Sequence, residues 1–191
     1  MNDATAYPCV VQLRRGGTSV VLRLDADVLP TVLHWGPDLG DLEASALAAL
    51  IPALTPPYVD SPVSSQVAVS LPPQHSSGWL GRPGLLGHRA GRAWSASFGT
   101  VTHAIDEAGS PEWPTGAPSA VRLVSVGVDD AGALEVAVEL ELHPSGLVRL
   151  RATVRNRGED DYEVVHLLPA LPVPAEAGEL LDMTGRHTHE R

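Results

Sequence analysis

The feature that most constrains the fold is an alternation of apolar and mostly polar residues in two runs between Leu134 and Arg155. Every second residue is apolar from Leu134 to Leu142, and again from Val148 to Val154. Successive side chains of a β-strand point to opposite faces, so each run predicts a strand with one face on a core. The polar positions between them carry opposite charges in the two runs: Glu135, Glu139 and Glu141 in the first, and Arg149, Arg151 and Arg155 in the second.

These charges also predict how the two strands pair. If Leu142 lies opposite Val148, the register places Glu141 against Arg149, Glu139 against Arg151 and Glu135 against Arg155. Each pair of opposite charges contributes roughly 0.2–1 kcal/mol. A slip of one residue would instead set charge against hydrophobe at every step. We therefore predict an antiparallel hairpin in this register, with the connecting loop at 143–147.

Shorter runs of the same kind, separated by Gly, Pro, Asp and Ser, predict further strands at 10–13, 18–25, 30–35, 66–71, 98–105, 121–128 and 162–168. One segment, Leu42 to Leu50, is helical in pattern, because Leu42, Ala46 and Leu50 recur at i, i+4 and i+8. Asp41 is expected to cap this helix and Pro52 to end it. Many short strands, one short helix and 17 Pro predict an all-β fold, an antiparallel β-sandwich.

Length and composition limit the classes of function. The 191 residues suit a single domain spanning 1–191. The net charge is −10, all 13 basic residues are Arg, and no basic stripe is present, which argues against nucleic acid or an anionic membrane as partner. The apolar run at 44–54 is too short to span a bilayer and residues 1–13 lack a signal peptide, so a cytoplasmic location is expected. Cys9 is the only cysteine, which excludes an internal disulfide.

Motifs for metal binding or catalysis are weak. His187 and His189 would share one face of a strand beside Glu190, but no third ligand lies at a diagnostic spacing, and a polar chain end is the favoured interpretation. The sequence contains no GxSxG, HExxH or GxGxxG. Five acidic residues are interpreted as turn and solvent positions: Asp129, Asp130, Glu159, Asp160 and Asp161. We therefore predict no catalytic residue, metal or cofactor.

The best candidate site is the glycine-rich stretch 73–94, which holds two of the four Trp residues and three Arg. Trp and Arg can contact a sugar or anchor a protein interface, and loop packing is a third use. Trp35, at the end of an apolar strand, fits a core position and the rim of a site equally well. The candidate rim or interface residues are Trp35, His75, Trp79, Arg82, His88, Arg89 and Trp94.

Several motifs together resemble a known family. The chain contains, in order, VLHWGPDLGDL, PQHSSGWLGRPGLLGHRAGRAWSASF followed by THAI, and LHPSGLVRLRATVRNRGEDDYEV before LPVPAEAGELLDMTGRHTHER. Their succession resembles the N-terminal region of bacterial family 36 α-galactosidases. The resemblance implies a β-supersandwich, followed in the full enzymes by a TIM barrel and a C-terminal β domain. It also implies retaining hydrolysis of terminal α-galactosides by two Asp residues of the barrel.

The sequence departs from that family where catalysis is concerned. The family's nucleophile lies in a Lys-Trp-Asp motif, and this sequence contains no Lys. We expect a domain that is incomplete at its C-terminal end, lacks the barrel and is inactive alone. The resemblance implies a scaffold, subunit-contact and active-site-rim role in a homo-oligomeric enzyme that acts on α-galactosides. The alternatives are a self-standing carbohydrate-binding or protein-interaction module, and a remnant that does not fold stably.

Overall fold

The computed structural model describes residues 9–54, 69–108, 119–174 and 177–179. Its elements are β1 (Cys9–Arg15), β2 (Thr18–Leu24), β3 (Thr31–Pro37), α1 (Ala44–Leu54), β4 (Leu85–His88), β5 (Thr100–Ala108), β6 (Ala120–Asp129), β7 (Leu134–Leu142), β8 (Val148–Asn156) and β9 (Glu163–Leu167). The strands form three antiparallel sheets, with strand orders β1-β2-β3, β4-β9 and β5-β6-β7-β8. The all-β prediction is confirmed.

The predicted hairpin is present with the predicted register. Leu142 pairs with Val148, and each of the three Glu residues of β7 lies opposite its expected Arg of β8. Arg149 Nη1 lies 3.4 Å from Glu141 Oε2. Within the described ranges, the other two pairs make no N···O contact inside 4 Å, so they favour the register through longer-range attraction.

The core lies between the three-stranded and the four-stranded sheets. Alternate residues of β7 are buried along its whole length, and they pack against inward-facing residues of β2 such as Leu22. Val21, on the opposite face of β2, is also fully buried. Helix α1 contacts β1 and β3, the strands on either side of β2, and so covers that second face.

The helix differs from the prediction in bounds and in packing face. It begins at Ala44, after Glu43, whose carbonyl accepts hydrogen bonds from the amides of residues 46 and 47. Leu47, Leu50 and Ile51 are its half-buried residues, whereas Ala46 is exposed. Pro52 does not end the helix, because a proline this close to the C-terminus removes only one hydrogen bond of the last turn.

The expected cap was also wrong. Asp41 lies three residues before the helix, and its carboxylate oxygen is 3.9 Å from Arg14 Nη1. This helix has no fully buried residue, so it is stabilised mainly by packing its half-buried apolar residues against the sheet.

Two further features were not predicted. Strand β4 lies within the glycine-rich stretch 73–94, where no strand was predicted, and it pairs with β9, nearly 80 residues later. At one end of the sandwich, the β1–β2 turn contacts the β7–β8 loop through backbone atoms. A Cβ placed on Gly16 would meet the amide nitrogen of Gly146 at 2.3 Å.

Of the predicted strand at 66–71, only residues 69–71 lie in the described part, where Ser70 forms a single bridge with Thr31.

The described residues include no helix with the length and apolarity of a bilayer span.

Candidate functional site

The stretch 73–94 is an ordered excursion held at its base. The Gln74 side-chain oxygen accepts a hydrogen bond from the Phe98 amide at 3.0 Å, and Ser76 Oγ donates to the Ala96 carbonyl at 3.1 Å. Gln74, Ala96 and Phe98 are all buried. The excursion therefore projects from anchored chain ends, and its middle is paired with β9 through β4.

Three of the predicted site residues stabilise the tip of this excursion. Trp79 Nε1 donates to the carbonyl of Arg82 at 3.0 Å, and His75 Nε2 lies 3.0 Å from the carbonyl of Gly81. A Cβ on Gly81 would stand 2.6 Å from the Trp79 ring, so the ring lies directly against the glycine. The polar atom of Trp79 is thus used within the loop, whereas the Arg82 side chain is exposed.

Arg89 joins three separate segments. Its guanidinium donates to the carbonyl of Asp160, to the carbonyl of Gly132 at 3.2 Å and to the side-chain oxygen of Asn156 at 2.9 Å. It also lies over the ring of Tyr162, 5.8 Å from the centroid. Burial raises the pKa of the Tyr162 phenol; the nearby Asp129 charge adds to this shift and Arg89 opposes it. Arg89 therefore fastens the excursion to the β6–β7 and β8–β9 connections.

The other two candidates of the stretch have different surroundings. His88 ends β4 opposite Glu163, with Nε2 4.0 Å from the carboxylate. Trp94 is 62% exposed. With His75 it lines a crevice of only about 10 Å³, which has room for no more than a water molecule. Trp94 is consequently a surface aromatic side chain on a well-anchored segment.

Trp35 is partly a core residue and partly the wall of a cleft. It packs against the core cluster, and its Nε1 donates to the carbonyl of Pro172. Its ring lines a cleft of about 250 Å³ together with His34, Leu54 and Val173. Trp35 therefore contributes to the core and to the wall of this cleft, and its role at the rim of a site stays a prediction.

The segment after Trp35 is fixed by a charged network. Arg14 donates twice to the carboxylate of Asp38, at 2.8 and 2.7 Å, and Ser19 Oγ donates to the same group at 2.6 Å. The hydrogen bonds from Arg14 and Ser19 hold the pKa of Asp38 well below its usual range. Asp38 is therefore ionised at neutral pH and ties the β3 end to β1 and β2.

The structure does not gather the seven candidates into one pocket. Trp35 lines one cleft, His75 and Trp94 line a second, and Arg89 lines a third. The described residues contain no group of three or more His, Cys, Asp or Glu side chains placed to hold a metal ion. His187, His189 and Glu190 lie outside the described residues.

The third cleft was missed by the sequence analysis. It is a groove of about 440 Å³, lined by Arg89, Arg92, Ala93, Ser95, Ser97, Asp129, Ala131 and Gly132. Asp129 was expected to face solvent, but it is only 4% exposed, because its carboxylate accepts the amides of Ser97 and Gly132 at 3.0 and 2.9 Å. The other four acidic residues of that set are exposed, as predicted. The alternation in Ser95–Ala96–Ser97–Phe98 could have predicted an extended segment with both Ser residues on one side, which is the side that lines this groove.

These features define a class of domain: an antiparallel β-sandwich with an anchored loop excursion that carries aromatic side chains. The family model described as "Glycosyl hydrolase family 36 N-terminal domain" matches residues 28–191, and the chain belongs to this family. The family resemblance noted in the sequence is thereby confirmed.

Similar proteins agree with this assignment. An α-galactosidase of Escherichia coli is 27% identical over 159 residues, which are 83% of this chain. The chain spans only 20% of the length of that relative. The crystal structure of the family 36 α-galactosidase AgaB from Geobacillus stearothermophilus superposes with a TM-score of 0.58 at 19% identity, covering 84% of this chain and 24% of that one. An AgaA variant from the same organism, in complex with stachyose, gives a TM-score of 0.60 at 17% identity and the same coverages.

Proposed function

We propose that this chain is the N-terminal, non-catalytic domain of a glycoside hydrolase that acts on α-galactosides. The match of the family model to residues 28–191 carries the proposal, and the α-galactosidase names of its relatives supply the substrate class. Because the chain spans about a fifth to a quarter of those relatives, hydrolysis itself is assigned to sequence outside it.

Within such an enzyme the domain would act as scaffold, as subunit contact and as a rim element. The anchored excursion supports this role, since it presents Trp94 and the 81%-exposed Leu80 on a fixed base. Aromatic side chains on rigid supports lose little conformational entropy when they are covered, which favours contact functions. Homo-oligomerisation of the intact enzyme belongs to the same proposal.

The test uses the intact protein that carries this domain, with p-nitrophenyl α-galactoside as substrate. We expect hydrolysis by the intact protein and none by residues 1–191 alone. If Trp94 contacts a neighbouring subunit, Trp94→Ala is expected to lower the mass of the assembly. If it borders the active site, the substitution is expected to lower kcat/KM about tenfold or more, as is typical of a buried contact aromatic. Trp94→Phe, which keeps a ring, is the matched control. Unchanged assembly and kinetics in Trp94→Ala would exclude the contact and rim role, and an intact protein without α-galactosidase activity would exclude the substrate class.

A further inference from the structure

The 440 Å³ groove beside Asp129 has the composition of a ligand site on the domain itself. Its volume lies in the range of small-molecule sites, roughly 300–1,000 Å³. The floor is the buried Asp129 carboxylate, which is held by two backbone amides. Within the described part of the chain no cation lies within 4 Å of it, so the two amides are its direct partners and further lone pairs stay available.

Hydrogen-bond donors line the wall. Ser95 and Ser97 alternate with the buried Ala96 and Phe98, so both hydroxyls lie on the same side of an extended segment. In the described ranges neither hydroxyl has a partner, and the same is true of the Arg92 guanidinium. These three residues line the groove, and among the described residues their donors are left for water or a ligand.

The backbone around the groove is held in an unfavourable conformation. Of the described residues other than glycine, three have positive φ: Ala90 at 48°, Ala93 at 53° and Ala133 at 51°. Ala90 lies within the Arg89–Arg92 turn, Ala93 directly follows it, and Ala133 follows Gly132. This left-handed conformation is unfavourable for any residue that carries a Cβ. The turn is also closed by reciprocal backbone hydrogen bonds between Arg89 and Arg92, of 2.7 and 3.0 Å, so the donor set is preorganised.

From this arrangement we infer that the groove binds a neutral saccharide. Sugar hydroxyls both donate and accept, so they can donate to the Asp129 carboxylate while accepting from Arg92, Ser95 and Ser97. A simple anion could pair with the Arg92 guanidinium, but it has no donor for the Asp129 carboxylate, whereas each sugar hydroxyl has one.

The inference is tested on the 191-residue chain by titrating raffinose or galactose while recording amide chemical shifts. Saturable shifts are expected at the amides of Ser97 and Gly132. Arg92→Ala is expected to weaken binding about tenfold or more, since it removes hydrogen bonds from a charged donor. Ser97→Ala is expected to weaken it about two- to tenfold. Arg82→Ala, which removes an exposed Arg of the same stretch outside the groove, is the matched control and should leave affinity unchanged.

Thermal unfolding of each variant shows that loss of binding is not loss of fold. No shift with either saccharide overturns the inference, as does binding that Arg92→Ala leaves intact. Saturation by sodium sulfate without saccharide binding would identify an anion site instead and also overturns it. Hydrolysis of α-galactosides by the intact protein is measured separately, so the inference and the proposed function can fail independently.

Discussion

The indole Nε1 of Trp35 donates a hydrogen bond to the backbone carbonyl of Pro172, 137 residues further along the chain. This bond ties the end of β3 to the segment that follows β9. Trp35→Phe keeps a ring but removes the donor, so the free energy of unfolding should fall by about 0.5–1.5 kcal/mol. Urea unfolding measures the change. Trp94→Phe, at an exposed position, should have the stability of the parent chain, and equal effects of the two substitutions would contradict the role of Trp35.

The Arg14–Asp38 pair predicts a pH dependence of stability. The pKa of Asp38 is lowered in the folded chain, so the unfolded state binds the proton more readily. Its contribution is therefore fully present above the unfolded pKa, about 3.9, and is lost as the pH falls below that value. Asp38→Asn should flatten the slope of stability against pH between roughly pH 5 and 2. Asp41→Asn is the control, because that side chain is 97% exposed. A slope that Asp38→Asn leaves unchanged would exclude this origin.

Substitutions of two adjacent glycines at the β1–β2 turn distinguish the cost of backbone strain from the cost of a steric clash. Gly16 and Gly17 both have positive φ, at 57° and 77°, but only a Cβ on Gly16 would clash, with Gly146 at 2.3 Å and the Pro144 carbonyl at 2.5 Å. Ala at either position costs about 1 kcal/mol in backbone strain. Gly16→Ala should cost about 1–3 kcal/mol more, because the two hairpin tips must separate. Thermal unfolding compares the pair, and equal melting temperatures would show that the contact is not tight.

The contacts of Arg89 predict a structural effect of its removal. Arg89→Ala leaves the carbonyls of Asp160 and Gly132 without their donor and should destabilise the domain by about 1–3 kcal/mol. Arg89→Lys should recover only part of this, because an ammonium group cannot reproduce a planar fork of donors. Arg82→Ala should stay within about 0.5 kcal/mol of the parent chain. If Arg89→Ala and Arg82→Ala unfold at the same urea concentration, Arg89 does not stabilise the attachment of residues 73–94 to the β6–β7 and β8–β9 connections.

The hairpin of β7 and β8 could be predicted to the residue because its information is local. Alternation set the buried face, and the Glu and Arg positions set the register. Strand β4 could not be predicted, since its four residues, Leu85 to His88, show no complete alternation and pair with a strand far along the chain. The helix was recognised, but its packing face was not, because an apolar segment such as 44–54 offers several possible faces.

The candidate site was predicted in composition but not in geometry. Trp79 and Arg89 stood out by residue type, yet both have their polar atoms directed at backbone oxygens of the protein itself. Every residue has a backbone carbonyl, so the sequence does not show which of them accepts a given hydrogen bond. Asp129 was assigned to solvent for a related reason: the amides that hold its carboxylate come from Ser97 and Gly132, and only the fold brings the first of these near.

Arg89 has a consequence for how this domain can vary among its relatives. Two of its three hydrogen-bonded partners are main-chain carbonyls, those of Asp160 and Gly132, which every amino acid possesses. The side chain at position 160 can therefore be exchanged without breaking the bond, provided that the chain keeps its path. Correlated substitutions between position 89 and position 160 should be weak despite direct contact. Insertions or deletions in the β8–β9 connection are the changes that this arginine would not tolerate.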